Sequence, residues 1–216
     1  MTTLKTILLF AFLLIVSPLI ANASDPDILT DFIIPQNLTL PMINGSFFTF
    51  SGMRILFDDN GPVPDSFTAY KASASEFPAL LGQSVSFAVL IFPSETVNPP
   101  HTHPRSAELL FLINGMLDVG FVDTANNLYT QTLEPGDMFV FPKGLVHFQN
   151  CKGKEPAIAM SAFGSASAGT VSIPKTVFGS GIDDEVIAKS LKTDAATVQK
   201  IKAALPPPPK KIDVRL

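Results

Sequence analysis

The chain has 216 residues, a formal net charge of −4 and a single cysteine. That length suits one ordinary domain with a sizeable core. The mildly acidic balance argues against nucleic acid or an anionic membrane as the main partner. Because Cys151 has no second cysteine to pair with, we predict no internal disulfide, and expect either a buried thiol or a free thiol that pairs between chains.

Residues 1–23 have the pattern of a secretory signal peptide. One lysine near the start precedes an apolar run at residues 7–16, which is too short to span a bilayer. A small-residue cleavage pattern ends at Ala23, so the mature chain is predicted to begin at Ser24 and to be secreted. The alternative is an uncleaved membrane anchor, but no stop-transfer pattern follows and no later run is long enough to cross a membrane.

Residues 24–60 are predicted to form an extended N-terminal arm. They are rich in Asp, Pro, Asn and Gly with scattered aromatic residues, so short strands are expected at most. Asn37 and Asn44 each stand two residues before a hydroxyl side chain, at Thr39 and Ser46. In a secretory chain both sequons predict N-linked glycosylation of a surface segment.

Residues 61–170 are predicted to form an antiparallel β-sandwich or barrel. Short alternating or β-branched segments follow one another at close spacing, with turn residues between them. The pair Asn114-Gly115 separates two apolar runs and predicts a β-hairpin, and a further strand is expected to carry His147. The other predicted strands are Ser84–Phe92, Leu109–Ile113, Met116–Val122, Leu128–Leu133, Met138–Phe141 and Ala157–Phe163.

Residues 171–216 are predicted to contain C-terminal α-helices and a Pro-rich tail. Apolar residues recur at helical spacing in Asp183–Leu191 and in Ala195–Leu205. Thr193-Asp194 can cap the second helix, and the run of prolines that follows would end it. The apolar stripes of these helices must be buried, either on the barrel or on a neighbouring subunit.

The three histidines of the chain all fall where one metal site would need them. His101 and His103 are two residues apart, so on a strand both side chains project to the same face. Glu108 lies in an apolar stretch where an unpaired charge is costly, and a bend at residues 104–106 must bring it to that face. Together with His147, these side chains make a coordination shell for a divalent metal with positions left open.

The ligand set does not identify the metal. Affinity alone favours copper or zinc, whereas three imidazoles with a hard carboxylate and open positions also suit manganese or iron. The alternative interpretation is that the paired histidines are surface groups and that Glu108 is a solvated charge.

The two histidine segments resemble the motifs of the germin-like proteins of plants, within the cupin superfamily. The similarity runs from DPDILTDF, which begins at Asp25, to SAGTVSIPKTVFGSGIDDEVIAKSLKTD, and so covers nearly the whole mature chain. The matching motif positions are His101, His103, Glu108 and Gly115 in the first motif, and Gly136, Pro142, Gly144 and His147 in the second.

This resemblance implies one cupin jelly-roll β-barrel over residues 24–216, with an N-terminal arm and C-terminal helices. It implies that manganese is bound by the three histidines and Glu108. It also implies secretion to the apoplast of the plant cell wall with a role in plant defence, and a homohexamer, a trimer of dimers, in which the C-terminal helices clasp a neighbour. Many family members bridge two N-terminal cysteines, whose positions here hold Ile33 and Phe48.

A manganese oxidoreductase of the superoxide dismutase type is our first functional hypothesis. Superoxide is small and needs no elaborate pocket, which suits a site with few polar residues to spare. Oxalate oxidase, which yields carbon dioxide and hydrogen peroxide, is the second hypothesis. The third is a non-catalytic cell-wall or receptor-like binding protein whose metal is structural.

Two positions separate the enzymatic hypotheses. The resemblance implies that oxalate-degrading germins orient their substrate with two Asn residues, of which one matches Asn98 and the other falls at Ala88. A methyl group cannot donate a hydrogen bond to a carboxylate, so a specific oxalate pose loses a partner here. Asn98 is therefore a candidate substrate contact, with a plain turn role before Pro99 as the alternative.

Overall fold

In the computed structural model, residues 25–58 and 64–205 are described. The predicted signal peptide, its cleavage site and the Pro-rich tail lie outside these residues. Two five-stranded antiparallel sheets face each other, with strand orders β1-β2-β9-β4-β7 and β10-β3-β8-β5-β6. The strands are β1 Thr68–Ala72, β2 Ser86–Phe92, β3 Val97–Thr102, β4 Glu108–Asn114, β5 Leu117–Val122, β6 Leu128–Leu133, β7 Met138–Phe141, β8 Val146–Asn150, β9 Ala157–Phe163 and β10 Val171–Ser172.

The predicted fold class is confirmed: the chain is an all-β jelly roll with helices at its C-terminal end. Along β4 the side chains alternate between the two faces of the sheet, with Leu110 and Leu112 buried between the sheets and Leu109 and Ile113 exposed. The same alternation on β2, β5 and β9 directs apolar side chains into one core between the sheets. Cys151 is a free thiol within that core.

The predicted hairpin at Asn114-Gly115 is wrong. β4 pairs with β7 and β9 in one sheet, whereas β5 pairs with β6 and β8 in the other. Gly115 has a φ of +81°, and a Cβ there would lie 2.5 Å from the carbonyl oxygen of Pro156. The Asn-Gly pair therefore turns the chain from one sheet into the other, and the hairpin lies instead between β5 and β6.

The N-terminal arm lies on the surface of the sandwich and has no strand within residues 25–58. It contains two 3₁₀ turns, Leu40–Met42 and Gly52–Phe57. Asp25 fixes the start of the described arm, because its carboxylate accepts hydrogen bonds from the hydroxyl of Ser165 and the amide of Ala166, each at 2.6 Å. The side chains of both sequon asparagines are exposed.

Three helices follow the last strand: α1 Ile173–Gly179, α2 Asp184–Leu191 and α3 Ala195–Ala204. Asp194 caps α3 by accepting from the amide of Thr197 at 2.9 Å. A small second core unites the helices around Ile187, Ala188 and Val198, but other apolar side chains of α2 stay exposed. No helix of the described chain is long and apolar enough to cross a membrane.

Candidate metal centre

The four side chains that the sequence analysis selected converge at one end of the sandwich. His101 on β3 is paired directly with His147 on β8, and His103 follows the end of β3. Glu108 begins β4 in the opposite sheet. One ligand atom from each residue lies within 4.8 Å of all the others, and all four residues are buried.

The local sequence explains this convergence. The register of β3 against β8 shifts between Asn98 and His101, where two prolines have no amide hydrogens to donate. After His103 the chain bends through residues 104–107 and crosses to the other sheet, so Glu108 faces the histidines from across the core. The bend that the sequence analysis placed at residues 104–106 is therefore the connection by which the chain crosses from one sheet to the other.

Each imidazole ring is oriented by a hydrogen bond at Nδ1 to a backbone carbonyl. The acceptors are the oxygens of Pro99 for His101 at 2.8 Å, of Gly169 for His103 at 2.5 Å and of Leu145 for His147 at 2.9 Å. A carbonyl only accepts, so Nδ1 carries the proton in all three rings. The Nε2 lone pairs are thereby left for a metal, with the tautomer fixed by the second ring nitrogen.

Aromatic side chains hold two of these rings in place. Phe141 stacks on His147 with centroids 4.5 Å apart, and Phe163 meets His103 edge-on at 4.8 Å. Both phenylalanines lie on the sheet that carries Glu108. The imidazoles are therefore packed between the two sheets with few alternative orientations.

Glu108 uses its two oxygens differently. Oε1 accepts from the hydroxyl of Ser161 at 2.6 Å and from the amide of Gln149 at 3.3 Å. Oε2 lies 3.1 Å from Nε2 of both His103 and His147. The protein thus satisfies one carboxylate oxygen and presents the other to the centre of the site.

Sequence reasoning missed Gln149 and Ser161, although both carry a signal. Gln149 stands two residues after His147 on β8 and therefore projects to the same face. Ser161 takes an inward-facing position in the apolar strand β9, where a polar side chain needs a partner. Neither position reveals from the sequence alone that the partner is Glu108.

The electrostatics of the site favour a neutral His101 beside an ionised Glu108. Burial, together with repulsion from His147, lowers the pKa of His101 from 6.5 to about 4. Burial alone would raise the pKa of Glu108, but hydrogen bonds with His103 and His147 outweigh it and hold this pKa well below its usual range. Neutral nitrogen donors and an anionic oxygen donor are the protonation states that metal ligation requires.

The residues present fit a divalent metal. Because the Nδ1 atoms carry the ring protons, Nε2 of His103 and Nε2 of His147 each direct a lone pair at Oε2 of Glu108. These nitrogen lone pairs and the carboxylate oxygen repel each other unless a cation lies between them. Protons can play this part in the metal-free chain. The 3.1 Å separations are also short enough for one divalent ion to contact all three atoms.

A small cavity of about 60 Å³ is lined by three of the ligands, His101, His103 and Glu108, and by both polar and apolar side chains, among them Asn98 and Ala88. The amide of Asn98 donates to Oε1 of Gln149 at 2.6 Å and lies 3.5 Å from Nε2 of His101. The structure therefore brings the candidate substrate contact to the site. An outer cleft of about 330 Å³ adjoins this cavity and shares Ala88 and His103 with it.

Comparisons with known proteins agree with this geometry. A family model described as Cupin matches residues 62–199. Germin-like protein 9-3 of Oryza sativa subsp. japonica is 60% identical over 211 residues, covering 95% of this chain and 99% of that protein. Germin-like protein subfamily 2 member 2 of Arabidopsis thaliana is 36% identical over 197 residues, covering 85% and 89%.

Solved structures give the same grouping. Recombinant oxalate oxidase in complex with glycolate matches with a TM-score of 0.75 at 30% identity, over 83% of this chain and 97% of that one. Another oxalate oxidase structure matches at 0.74 and 31%, with the same coverage. Peruvianin-I, a cysteine peptidase from Thevetia peruviana latex, matches at 0.62 and 24% over 68% of this chain and 96% of that one, which shows likeness of fold alone.

Acid should destabilise the metal-free protein through His101. His101 takes up a proton near pH 6.5 in the unfolded chain but only near pH 4 in the folded chain. Between these values the unfolded state binds more protons, so the free energy of unfolding decreases as the pH decreases. From pH 7 to pH 5 we expect a loss of about 2 kcal/mol, measured by urea unfolding after chelator treatment. His101→Gln should remove that part of the loss, and parallel pH profiles for the two proteins would contradict this assignment.

The hydroxyl of Ser161 should support metal binding without touching the metal. Ser161→Ala removes the 2.6 Å hydrogen bond to Glu108, and we expect the metal affinity to fall roughly 10- to 100-fold in competition with a chromogenic chelator. Ser86→Ala is the matched control, because this buried hydroxyl donates to the carbonyl of Ser165 at 2.7 Å in the same sheet. Equal affinities for both variants and the parent would show that Ser161 does not position Glu108.

Proposed function

This chain belongs to the germin-like proteins of the cupin family, and from that premise we propose that it is a secreted manganese oxidoreductase of the superoxide dismutase type. Manganese, when bound, supplies one-electron exchange with a small oxygen species. Two superoxide anions and two protons then give dioxygen and hydrogen peroxide. His101, His103, Glu108 and His147 would hold the metal, with iron, zinc and copper as the other ions that this donor set accepts.

The size of the inner cavity is the observation that carries this choice. Its volume is about 60 Å³, compared with about 330 Å³ for the outer cleft. A diatomic anion fits such a space more readily than oxalate, which has six heavy atoms. Apart from the ligands, the polar side chains on its walls are Asn98, Lys71 and Thr170, so the site offers few hydrogen bonds with which to select a larger substrate.

Asn98 is the polar side chain best placed to orient a small ligand. Gln149 accepts from its amide at 2.6 Å, and Gln149 is itself held by Glu108. The position of Asn98 therefore depends on the same carboxylate that presents Oε2 to the metal. We propose that Asn98 donates a hydrogen bond to an anion bound at an open coordination position.

Oxalate oxidase activity is the second candidate, favoured by the likeness to oxalate oxidase structures, one of which binds glycolate. Oxalate, dioxygen and two protons would give two carbon dioxide and one hydrogen peroxide. Ala88 lines both the inner cavity and the outer cleft, where a side-chain amide would be needed as the second donor. We rank this activity lower because the methyl group offers no hydrogen bond.

Manganese-loaded protein should consume superoxide faster than the same concentration of free manganese, measured by stopped-flow decay of superoxide absorbance. His147→Gln removes one ligand and should reduce the rate to that of the free ion at equal total metal. Elemental analysis of each sample shows how much metal is bound. A rate for the loaded parent no higher than that of the free ion would remove this proposal.

Two controls separate the other candidates. Oxalate-dependent peroxide is measured in the parent and in Ala88→Asn, and strong activity in the parent would place oxalate oxidase first. Azide is then added to the loaded protein while the manganese EPR spectrum is followed. A protein that neither consumes superoxide nor responds to azide has a closed site, which would identify the non-catalytic binding protein.

We further propose that the chain is cleaved before Ser24, glycosylated on the arm and assembled as a hexamer in the apoplast. Support for assembly comes from apolar side chains that stay exposed in the described chain. Leu109, Met138 and Val140 are 41%, 59% and 55% exposed on the outer face of one sheet, and Leu191 of α2 is 53% exposed. A second copy of the chain is the partner that would bury them, as the family resemblance implies.

Native mass spectrometry of protein recovered from plant culture medium tests this assembly. The expected subunit begins at Ser24 and loses mass on glycosidase treatment, and the expected complex contains six subunits. Asn37→Gln and Asn44→Gln assign the glycan mass to its sites. A monomer at micromolar concentration would contradict the assembly, and a subunit that retains residues 1–23 would contradict the cleavage.

A further inference from the structure

Lys71 lies at the entrance to the metal cavity because of its register on β1. It pairs directly with Ala88 on β2, so the two side chains project from the same face of the sheet. On that face Ala69, two residues earlier, packs against the barrel core, whereas Lys71 itself is exposed. The ammonium group therefore stands where the barrel interior opens to solvent, beside the small side chain of Ala88.

The ammonium is connected to the metal site through one hydroxyl. Nζ of Lys71 donates to Oγ1 of Thr170 at 3.4 Å, and this oxygen lies 3.5 Å from Nδ1 of His103. Lys71 and Thr170 both line the outer cleft and the inner cavity. A ligand that passes from the cleft of about 330 Å³ to the cavity of about 60 Å³ thus passes the ammonium.

Apart from the proposed metal ligand Glu108, the other charged groups of this region are directed elsewhere. Glu76 lines the outer cleft, but its carboxylate accepts from the amide and hydroxyl of Ser73 at 3.0 and 2.5 Å. The guanidinium of Arg105 donates to the hydroxyl of Ser167 at 3.1 Å. Among the described residues that line either cavity, Lys71 is the one lysine or arginine.

We propose that Lys71, with Thr170 beside it, is the residue that recruits small anions to the metal and sets the specificity for them. Lys71 on β1 supplies a hydrogen-bond donor and a positive charge beside Ala88, whose methyl group supplies neither. The ligand class is a small anion, either superoxide or a small carboxylate. This inference rests on the proposed function in that the metal site is the destination of the anion.

A lysine suits this task better than an arginine. The ammonium is a compact charge on a flexible stem with three donors, so it can leave Thr170 to meet an incoming anion and return. A single positive charge within about one screening length of a partly screened site changes anion affinity by about five- to tenfold. The effect should weaken as added salt shortens the screening length.

Anion affinity at the metal tests the role of Lys71 without reference to turnover. Azide and glycolate are titrated separately into manganese-loaded protein and followed by EPR, at low salt and at about 0.2 M salt. Lys71→Met should weaken binding about five- to tenfold at low salt, whereas Lys71→Arg should stay within about twofold because the charge remains. Lys200→Met on α3 is the matched control, since it removes one charge from a side chain outside both cavities.

The outcomes separate this inference from the proposed function. Weaker binding of both probes in Lys71→Met supports it, and loss for azide alone or for glycolate alone shows that Lys71 serves a small linear anion or a carboxylate. These results hold even if the parent fails to consume superoxide, in which case the proposed function alone is lost. Unchanged affinity for both probes in Lys71→Met, or an equal loss in Lys200→Met, would overturn the inference while leaving the superoxide assay unaffected.

Discussion

The buried carboxylate of Glu108 is the constraint on which the rest of the site depends. An ionised acid in an apolar core is costly unless it is paired and hydrogen-bonded. Ser161 and Gln149 satisfy one oxygen, and the other faces two imidazoles from the opposite sheet. Burying this charge is therefore tolerated because both sheets supply partners to it at this point, and a cation bound there would make the contact between the sheets more favourable.

Backbone carbonyl groups orient the three imidazole rings that face the carboxylate. Three carbonyl oxygens fix the imidazole protons on Nδ1, and these carbonyls belong to three segments that are distant in sequence, near Pro99, Leu145 and Gly169. Metal ligation is thus built into turns and strand ends of the jelly roll rather than into one mobile loop. A centre held in this way would keep its geometry when a metal or a small ligand enters.

The sequence predicted most of the metal centre and part of the fold, for reasons that differ by residue. Strands β6, β7 and β9 have their predicted bounds because alternation and flanking turns are local signals. The Asn-Gly pair misled because Gly115 provides the same backbone turn in a hairpin and in a corner between sheets, and only long-range pairing distinguishes them. Ser161 and Lys71 escaped notice because their partners lie across the barrel or on a neighbouring strand.

The inner cavity shows how one fold can change its chemistry with few substitutions. The ligands are held by the core, so their geometry is insensitive to residues at the entrance. Ala88 and Lys71 are cross-strand neighbours at that entrance, and between them they decide how much space and how much positive charge a ligand meets. A small side chain beside an ammonium selects ligands by charge more than by shape, because electrostatic attraction acts at longer range than a hydrogen bond does. Selection by charge suits a diatomic anion, whose shape gives a pocket little to recognise.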